Sequence, residues 1–316
     1  SPAAETDILI VGGGPVGLLL ANLLGAQAVR ALLVEQRTAP PSRSMAIGIT
    51  PPSLAILKKI QLDERFSREG LRVTHAWVHE GHRCLGCVDF TAIPSDYPYI
   101  LTLPQVRTVE LLRSNLRRYP SVTCLTGVEF LRSQEAGNGV VAQCAWTSES
   151  PQLFSTAPSP KLSTLNPPPS AVLLRRTGQL STPLQISARY LVGCDGHRSQ
   201  VRASAGINAP ERFYRQRFVM ADSEDHTGLG REAHLFFNAS TSIESFPLPG
   251  GKRRWIVLVD GQDPSNPGGY IIERTRHLTG HHLHRRWLGD CSRFKPKRML
   301  VNRYYSGRVL LAGDAA

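Results

Sequence analysis

A chain of 316 residues that is 41% hydrophobic, 20% charged and 7% aromatic can bury one large core or two ordinary ones, and is too apolar to be wholly disordered. No uncharged apolar run reaches the roughly 18 residues of a membrane-spanning helix; the longest, Val16 to Leu24, is interrupted by Gly17 and Asn22. The net charge of +12 comes from scattered basic residues, with few aromatics in the densest groups (Arg212/Arg215/Arg217 and Lys295/Lys297/Arg298), so it reads as a basic surface and excludes nucleic acid as a partner.

Glu5 and Asp7 stand where a secretory leader would be basic, and Ser1 marks a processed start or the edge of a trimmed chain. Asp7 to Val11 is a short apolar run that predicts a buried parallel strand. Gly12, Gly14 and Gly17 follow in GxGxxG spacing with Pro15 and Val16 between them, and Leu18 to Ala28 has helical spacing. Ala31 to Glu35 predicts a second buried strand that ends in an acid, followed by Gln36. In the order strand, glycine turn, helix, strand, acid, the motif points to a dinucleotide site. Gly12 permits the tight turn, Gly14 the approach of a pyrophosphate, and Gly17 close packing of helix on strand. The helix N-terminus offers unpaired N–H groups and a positive dipole to phosphate. Glu35 can accept hydrogen bonds from ribose hydroxyls and disfavours a 2′-phosphate, which suits FAD or NAD.

Thr38 to Ser44 reads as a loop and Pro52 to Ile60 as a helix. Short strands are predicted at Arg72 to His79, Arg83 to Phe90 and Tyr99 to Leu103, and a helix from Gln105 to about Tyr119. Cys84 and Cys87 form a CxxC without the second pair of a zinc site or the strand-to-helix turn of a redox pair. The six cysteines read as reduced thiols in a cytoplasmic protein. Strands are predicted at Val122 to Leu125, Val128 to Ser133 and Val140 to Trp146. Residues 148 to 170 hold six Pro and six Ser in 23 positions, which predicts a disordered insert. Strands resume at Ala171 to Arg176, Leu184 to Ile186 and Tyr190 to Gly193, the last leading into an Asp195-Gly196 turn and a helix containing Ser199 and Arg202. Residues 213 to 260 are strand-rich, Pro264 to Gly269 is a loop, and Ile271 to Leu288 reads as a helix. Its His277, His281 and His284 share one face in that reading, but the basic, amphipathic pattern argues against a metal. Strands at Arg298 to Tyr305 and Gly307 to Ala312 lead to Gly313-Asp314.

Glu35, Asp195 and Asp314 thus close three strands, where open α/β sheets bind ligands. The GxGxxG with Glu35, Gln105 opening a helix, Asp195-Gly196 and Gly313-Asp314 occur in the order that resembles the para-hydroxybenzoate-hydroxylase-like FAD monooxygenases. The resemblance implies an α/β chain: a Rossmann-like FAD-binding domain with a parallel sheet (1–72, 100–211 and 298–316) and an inserted, mainly antiparallel substrate domain (73–99 and 212–297). It implies that Glu35 holds the adenosine ribose, Gln105 reaches the ribityl or pyrophosphate region, Asp314 bonds a ribityl hydroxyl, and Asp195-Gly196 touches FAD and steers NADH or NADPH. Arg43 and Arg107 are candidate phosphate ligands, and His234, Phe236 and Phe246 candidate pocket residues. The implied chemistry is hydroxylation or epoxidation of a phenolic, aromatic or polyketide-like molecule by O₂ and NAD(P)H through a flavin C4a-hydroperoxide. It also implies that the chain is a fragment of a longer protein or a truncated product. An NAD-dependent dehydrogenase and an inactive nucleotide-binding relic are the alternatives.

Overall fold

The computed structural model describes residues 4–39, 46–147, 153–154 and 184–316. The chain divides into two units, residues 1–43, 106–211 and 299–316 in the first and 44–105 and 212–298 in the second. Residues 44–72 and 100–105, expected with the nucleotide-binding part, therefore group with the second unit.

In the first unit β1 (Ala4–Val11) pairs in parallel with β2 (Ala31–Glu35) on one side and β12 (Leu184–Gly193) on the other. Beyond β2 lies parallel β8 (Val122–Thr126), and the second half of β12 pairs in parallel with β21 (Val309–Leu311). The first half of β12 pairs antiparallel with β10 (Gly139–Trp146), itself antiparallel to β9 (Val128–Ala136). The two short strands predicted at 184–186 and 190–193 are thus one long strand that changes neighbours midway. Near-continuous burial of β1, β2 and β8 matches a parallel sheet covered on both faces.

Helix α1 (Pro15–Ala26) begins at Pro15, where a missing N–H costs nothing. It is tied to α4 (Gln105–Asn115) by buried Asn22, whose Nδ2 donates to the Leu18 and Leu112 carbonyls at 2.8 and 2.9 Å. Its Oδ1 accepts from Asn115 Nδ2 at 2.9 Å, so the buried amide is satisfied. The predicted insert falls on residues 148–170, of which Leu153–Phe154 form a short strand, β11, antiparallel to β8. Its other residues, and the strand predicted at 171–176, lie outside the described residues.

The second unit is built on a seven-stranded sheet in the order β18-β14-β17-β16-β15-β5-β6. These are Ser292–Phe294, Phe218–Glu224, Lys252–Leu258, Ser242–Leu248, Ala233–Phe237, His75–Glu80 and Arg83–Asp89. Every pairing is antiparallel except β15 with β5. A three-stranded sheet joins β3 (Gly48–Ile49), β7 (Ile100–Thr102) and β4 (Leu71–Val73). Helices α2 (Pro51–Lys58) and α3 (Asp63–Glu69) lie between β3 and β4 in sequence, the second of them unpredicted. Helix α6 (Pro267–Thr279) packs Ile271 and Leu278 against Val219, Phe236, Trp255 and Val257 of the large sheet. Asn266 caps its start by accepting from Gly269 N at 3.0 Å, so it begins inside the predicted loop. Gly280, at φ 77°, ends it. His281 and His284 are therefore outside the helix and share no helical face with His277. Likewise, Arg298 to Tyr305 is not one strand: β19 is Lys297–Met299 and β20 Tyr305–Ser306.

Buried Arg253 organises one end of this sheet. Its Nε donates to Asp225 at 2.8 Å, Nη1 to the Glu232 carbonyl at 3.1 Å and Ser245 Oγ at 3.2 Å, and Nη2 to the Gly230 carbonyl. Burial works to raise the Asp225 carboxyl, but hydrogen bonds from Thr227 and Arg253 outweigh it and hold it below the usual carboxylate range. Nearby, His234 and His79 stack with Phe236, and His234 Nδ1 lies 3.1 Å from His79 Nε2. His234 Nε2 faces the Leu229 carbonyl at 3.2 Å and must donate to it, so the neutral ring accepts at Nδ1 from His79. Protonating His234 would force His79 into the tautomer that accepts at Nε2. Burial lowers its pKa from 6.5 to about 4, helped by the charge on Arg253. The unfolded chain then takes the proton first, so folding stability falls as pH drops from 6.5 to about 4 and this group adds no further loss below that. Denaturant midpoints measured against pH should show this decline in the wild type, and a shallower one in His234→Phe.

Candidate nucleotide site

Because β2, β1, β12 and β21 are parallel, their carboxyl ends share one edge of the first unit. Register places Val34 beside Val11, Val11 beside Gly193 and Gly193 beside Leu311. The glycine turn, Glu35, Asp195-Gly196 and Gly313-Asp314 each follow one of these four residues. Backbone bonds continue the row: Gly12 N donates to the Val34 carbonyl at 2.8 Å, Cys194 N to Val11 at 2.7 Å and Ala312 N to Gly193 at 2.9 Å.

The turn demands glycine at two points. At Gly12, φ is 111° and a Cβ would lie 2.4 Å from the Cys194 carbonyl oxygen. At Gly17 a Cβ would lie 1.9 Å from the Gly12 carbonyl oxygen, so α1 rests directly on the turn. Gly14 differs, because an added Cβ would meet no atom within 4 Å. It is the N-cap of α1 and supplies no side-chain acceptor, and the first turn carries no acid. The first N–H groups of the helix therefore face an open space with a positive dipole behind them. Val16, 40% exposed, flanks that space, and Gly313 lies against it: a Cβ there would be 2.7 Å from Val16 Cγ2.

The three acids differ sharply. Glu35 Oε2 accepts from Gly13 N at 2.7 Å, while Oε1 accepts from Arg37 N and Nε at 2.9 and 3.2 Å. Its remaining lone pairs can receive further donors such as ribose hydroxyls. Asp195 is fully engaged by its own segment: Oδ1 accepts from Ser199 Oγ at 2.5 Å, and Oδ2 from Gln200 N and Val201 N at 2.7 and 3.1 Å. It caps helix α5 (Gln200–Ser204) and shapes the turn at Gly196, φ 79°. Asp314 is exposed and accepts no hydrogen bond from any described residue. An uncapped helix start beside an open space, a carboxylate at the end of β2 and an unspent carboxylate beyond β21 fit the diphosphate and hydroxyls of FAD.

Arg202 stands out although the motifs assign it no role. Its Nη1 donates to the Ala315 carbonyl at 3.1 Å and its Nη2 to the His197 carbonyl at 2.9 Å, which bolts the Asp-Gly turn to the Gly-Asp turn. The basic run His197 to Arg202 was its only sequence signal. Gln36 is exposed, and its carbonyl accepts from Thr147 Oγ1 at 2.6 Å. Arg107 Nη1 donates to Glu110 in its own helix at 2.8 Å. Gln105 belongs to the second unit, where its Oε1 lies 3.5 Å from Ala46 N. Arg43 lies outside the described residues.

The expected pocket residues separate by face. His234 and Phe236 point to the side of the large sheet covered by α6, whereas Phe246 lies on the other side with Leu235. Alternation along β15 and β16 decides this, and sequence could not say which alternate faced the helix. A separate open cleft of about 380 Å³ in the second unit is lined by Asp63, Arg72, Tyr97 and Tyr99, among others. Two of its polar pairs are joined to each other: the Tyr97 hydroxyl donates to Asp63 at 2.6 Å, and Ser67 Oγ lies 3.1 Å from the Tyr99 hydroxyl.

Residues 5–153 and 169–316 match the FAD binding domain family model, and the chain belongs to that family. It is 28% identical over 317 residues to 6-methylpretetramide 4-monooxygenase of Streptomyces rimosus, covering 98% of this chain and 51% of that protein. It is 26% identical over 326 residues to pentachlorophenol 4-monooxygenase of Sphingobium chlorophenolicum, covering 99% and 54%. The chain thus spans about half the length of these curated relatives. The fold matches the crystal structure of p-nitrophenol 4-monooxygenase from Pseudomonas putida with a TM-score of 0.81 at 20% identity, covering 99% of this chain and 73% of that one.

Gly14→Ala isolates the cradle. With φ at −77° and free space around the new methyl, the variant should keep its denaturation midpoint within about 0.5 kcal/mol of wild type. Its FAD affinity, followed by quenching of flavin fluorescence, should fall at least about tenfold if phosphate approaches the backbone there. Gly17→Ala, by contrast, should lose both stability and FAD.

Proposed function

We propose that this chain carries the FAD-binding and substrate-facing part of a monooxygenase that uses NAD(P)H and O₂ to hydroxylate or epoxidise a phenolic, aromatic or polyketide-like molecule. The observation that carries the reading is the shared sheet edge, where the open helix start of α1, Glu35 and the unspent Asp314 converge in a chain of the FAD binding domain family. The names of relatives matched along nearly the whole chain support the reaction class and the aromatic or polyketide substrate.

The first unit holds FAD in this reading and the second receives substrate. The N–H groups at the start of α1 bind the diphosphate, Glu35 orients the adenosine ribose, and Asp314 accepts from a ribityl hydroxyl. Asp195 acts indirectly by fixing the turn at Gly196, and Arg202 holds that turn to the Gly313-Asp314 turn. Gln36, Gln105, Arg107 and Arg43 are secondary candidates for FAD contacts. The flavin supplies electron transfer from NAD(P)H and activation of O₂; the protein supplies position, charge and exclusion of water. No helix among the described residues is long and apolar enough to cross a membrane. A reducing, cytoplasmic setting agrees with the free cysteines. Burial pushes the Cys124, Cys144 and Cys194 thiols up to about 12, which keeps them protonated and inert. An NAD-dependent dehydrogenase would leave the Asp314 carboxylate without a task.

Purified protein should take up FAD with the two-band flavin spectrum, and the bands should bleach anaerobically on adding NADPH or NADH. Product formed from a phenol under ¹⁸O₂ should carry one labelled atom. Asp314→Ala should weaken FAD binding by about tenfold or more, as loss of a charge-assisted hydrogen bond does. A protein that stays colourless with excess FAD, or bleaches without oxygen incorporation into any phenol or polyketide, removes the reading.

A further inference from the structure

The large sheet of the second unit has two unlike faces. One is sealed by α6 through Val219, Phe236, Trp255 and Val257. The other can be read across the strands from register: Met220 pairs with Ile256, Ile256 with Glu244, Glu244 with Leu235, and Leu235 with Val78. Directly paired residues point to the same side, and so do residues two apart on one strand. A single carboxylate therefore sits at the centre of an apolar strip, with Ile256 and Leu235 beside it and Phe246 next along β16. Glu244, Leu235, Phe246 and Ile256 are all half-buried, whereas the residues alternating with them are buried.

Glu244 accepts no hydrogen bond and makes no ion pair with any described residue. Burial alone acts on it, and raises its pKa. The nearest cation on this face, Arg254, sits opposite Phe246 and is held by Asp222, with Nε to Oδ1 at 2.6 Å and Nη2 to Oδ2 at 2.9 Å. The other partly buried acids of this unit are spent: Asp225 on Arg253 and Thr227, Glu232 on Thr74 and the His75 N–H, Asp63 on the Tyr97 hydroxyl and Glu69 on Arg65. A carboxylate stripped of part of its water and given no partner is costly. A neutral side chain would serve the fold of this strip better, so the acid answers to something outside the sheet.

We propose that Glu244 is the polar anchor of a binding strip for an uncharged aromatic hydroxyl compound, whose ring lies on Leu235, Ile256 and Phe246 and whose O–H donates to the carboxylate. The inference rests on the monooxygenase reading for the identity of its ligand as substrate, and names a feature of that substrate. Strands about 4.8 Å apart put Leu235 and Ile256 some 10 Å from each other across Glu244, a width suited to one or two fused rings. An ionised carboxylate only accepts hydrogen bonds, so it selects a hydroxyl donor. A ligand carboxylate at the same point would meet like charge at low dielectric. Glu244 is a specificity residue in this role: it discriminates donors from anions and leaves oxygen transfer to other groups.

Three probes of one shape test it: 2-naphthol, naphthalene and 2-naphthoate. Binding to the FAD-loaded protein is read from perturbation of the flavin absorbance without reductant, so no turnover is needed. The wild type should bind 2-naphthol at least about tenfold more tightly than either of the others. Glu244→Ala should erase the preference over naphthalene while leaving naphthalene affinity unchanged. Glu244→Gln, which keeps an acceptor and drops the charge, should retain most 2-naphthol affinity and admit 2-naphthoate about tenfold better. Neither variant loses a hydrogen bond or ion pair, and Glu244→Gln, which keeps the side chain's volume, should melt no lower than wild type. Unchanged 2-naphthol affinity in Glu244→Ala overturns the proposal, as does an equal loss for all three probes. Failure to load FAD instead counts against the monooxygenase reading, and the intrinsic fluorescence of 2-naphthol then tests Glu244 on the flavin-free protein.

Discussion

The first unit is organised around one close crossing of backbone, where α1 passes over the end of β1. No side chain separates Gly17 from the Gly12 carbonyl, or Gly12 from the Cys194 carbonyl. That proximity lets β1 stay paired with β12 to its last residue, Val11 beside Gly193, so both strands release their chains at the same level. The turn that opens α1 and the turn that opens α5 consequently begin side by side. β21 ends in the same row, and the Gly313-Asp314 turn comes to rest on Val16. A methyl group at Gly12 or Gly17 would push these turns apart. The geometry that brings helix dipole, glycine backbone and acids together is thus a packing property before it is a binding property.

The second unit solves a different problem, the burial of charge within a sheet. Arg253 is entirely enclosed, yet its guanidinium finds a carboxylate, two carbonyls and a hydroxyl, so little of the desolvation penalty is left uncompensated. Its charge reaches His234 and His281 and helps keep both imidazoles neutral, after burial itself. The sheet can then stack His79, His234 and Phe236 as if they were apolar rings. Against that background of satisfied groups, the solitary Glu244 on the opposite face is an exception that the packing does not account for.

Sequence revealed most where a signal was local and one-dimensional. The order of the β1–α1–β2 unit could be read, though not its ends, because its glycines and Glu35 follow each other within 24 residues, Gly12 to Glu35. The mixed fold was legible for the same reason, as was the meeting of Glu35, Asp195 and Asp314 at strand ends. What escaped were matters decided by contacts distant in the chain. Helix α6 stops at Thr279 and not at Leu288 because Gly280 takes a left-handed backbone, which only the structure shows. The side on which His234 and Phe236 lie depends on α6, some 40 residues later. Residues 44–72 pack with a sheet formed mainly by residues beyond 212, a grouping that no composition boundary announces.

Identical placement at strand ends did not produce identical acids, and the reason is how much of each carboxylate the protein consumes. Asp195 gives both oxygens to the N–H groups and hydroxyl of its own helix start, which leaves a rigid turn and little acceptor capacity. Glu35 gives part of its capacity to Gly13 and Arg37, which orients it and holds it near the glycine turn. Asp314 gives none. An unspent, exposed carboxylate costs the fold nothing and keeps all of its acceptor capacity, whereas the Asp195 carboxylate is committed to the shape of its turn. Arg202 links the two by gripping the carbonyls of His197 and Ala315. Any movement at the Asp195 turn is therefore transmitted to the segment bearing Asp314.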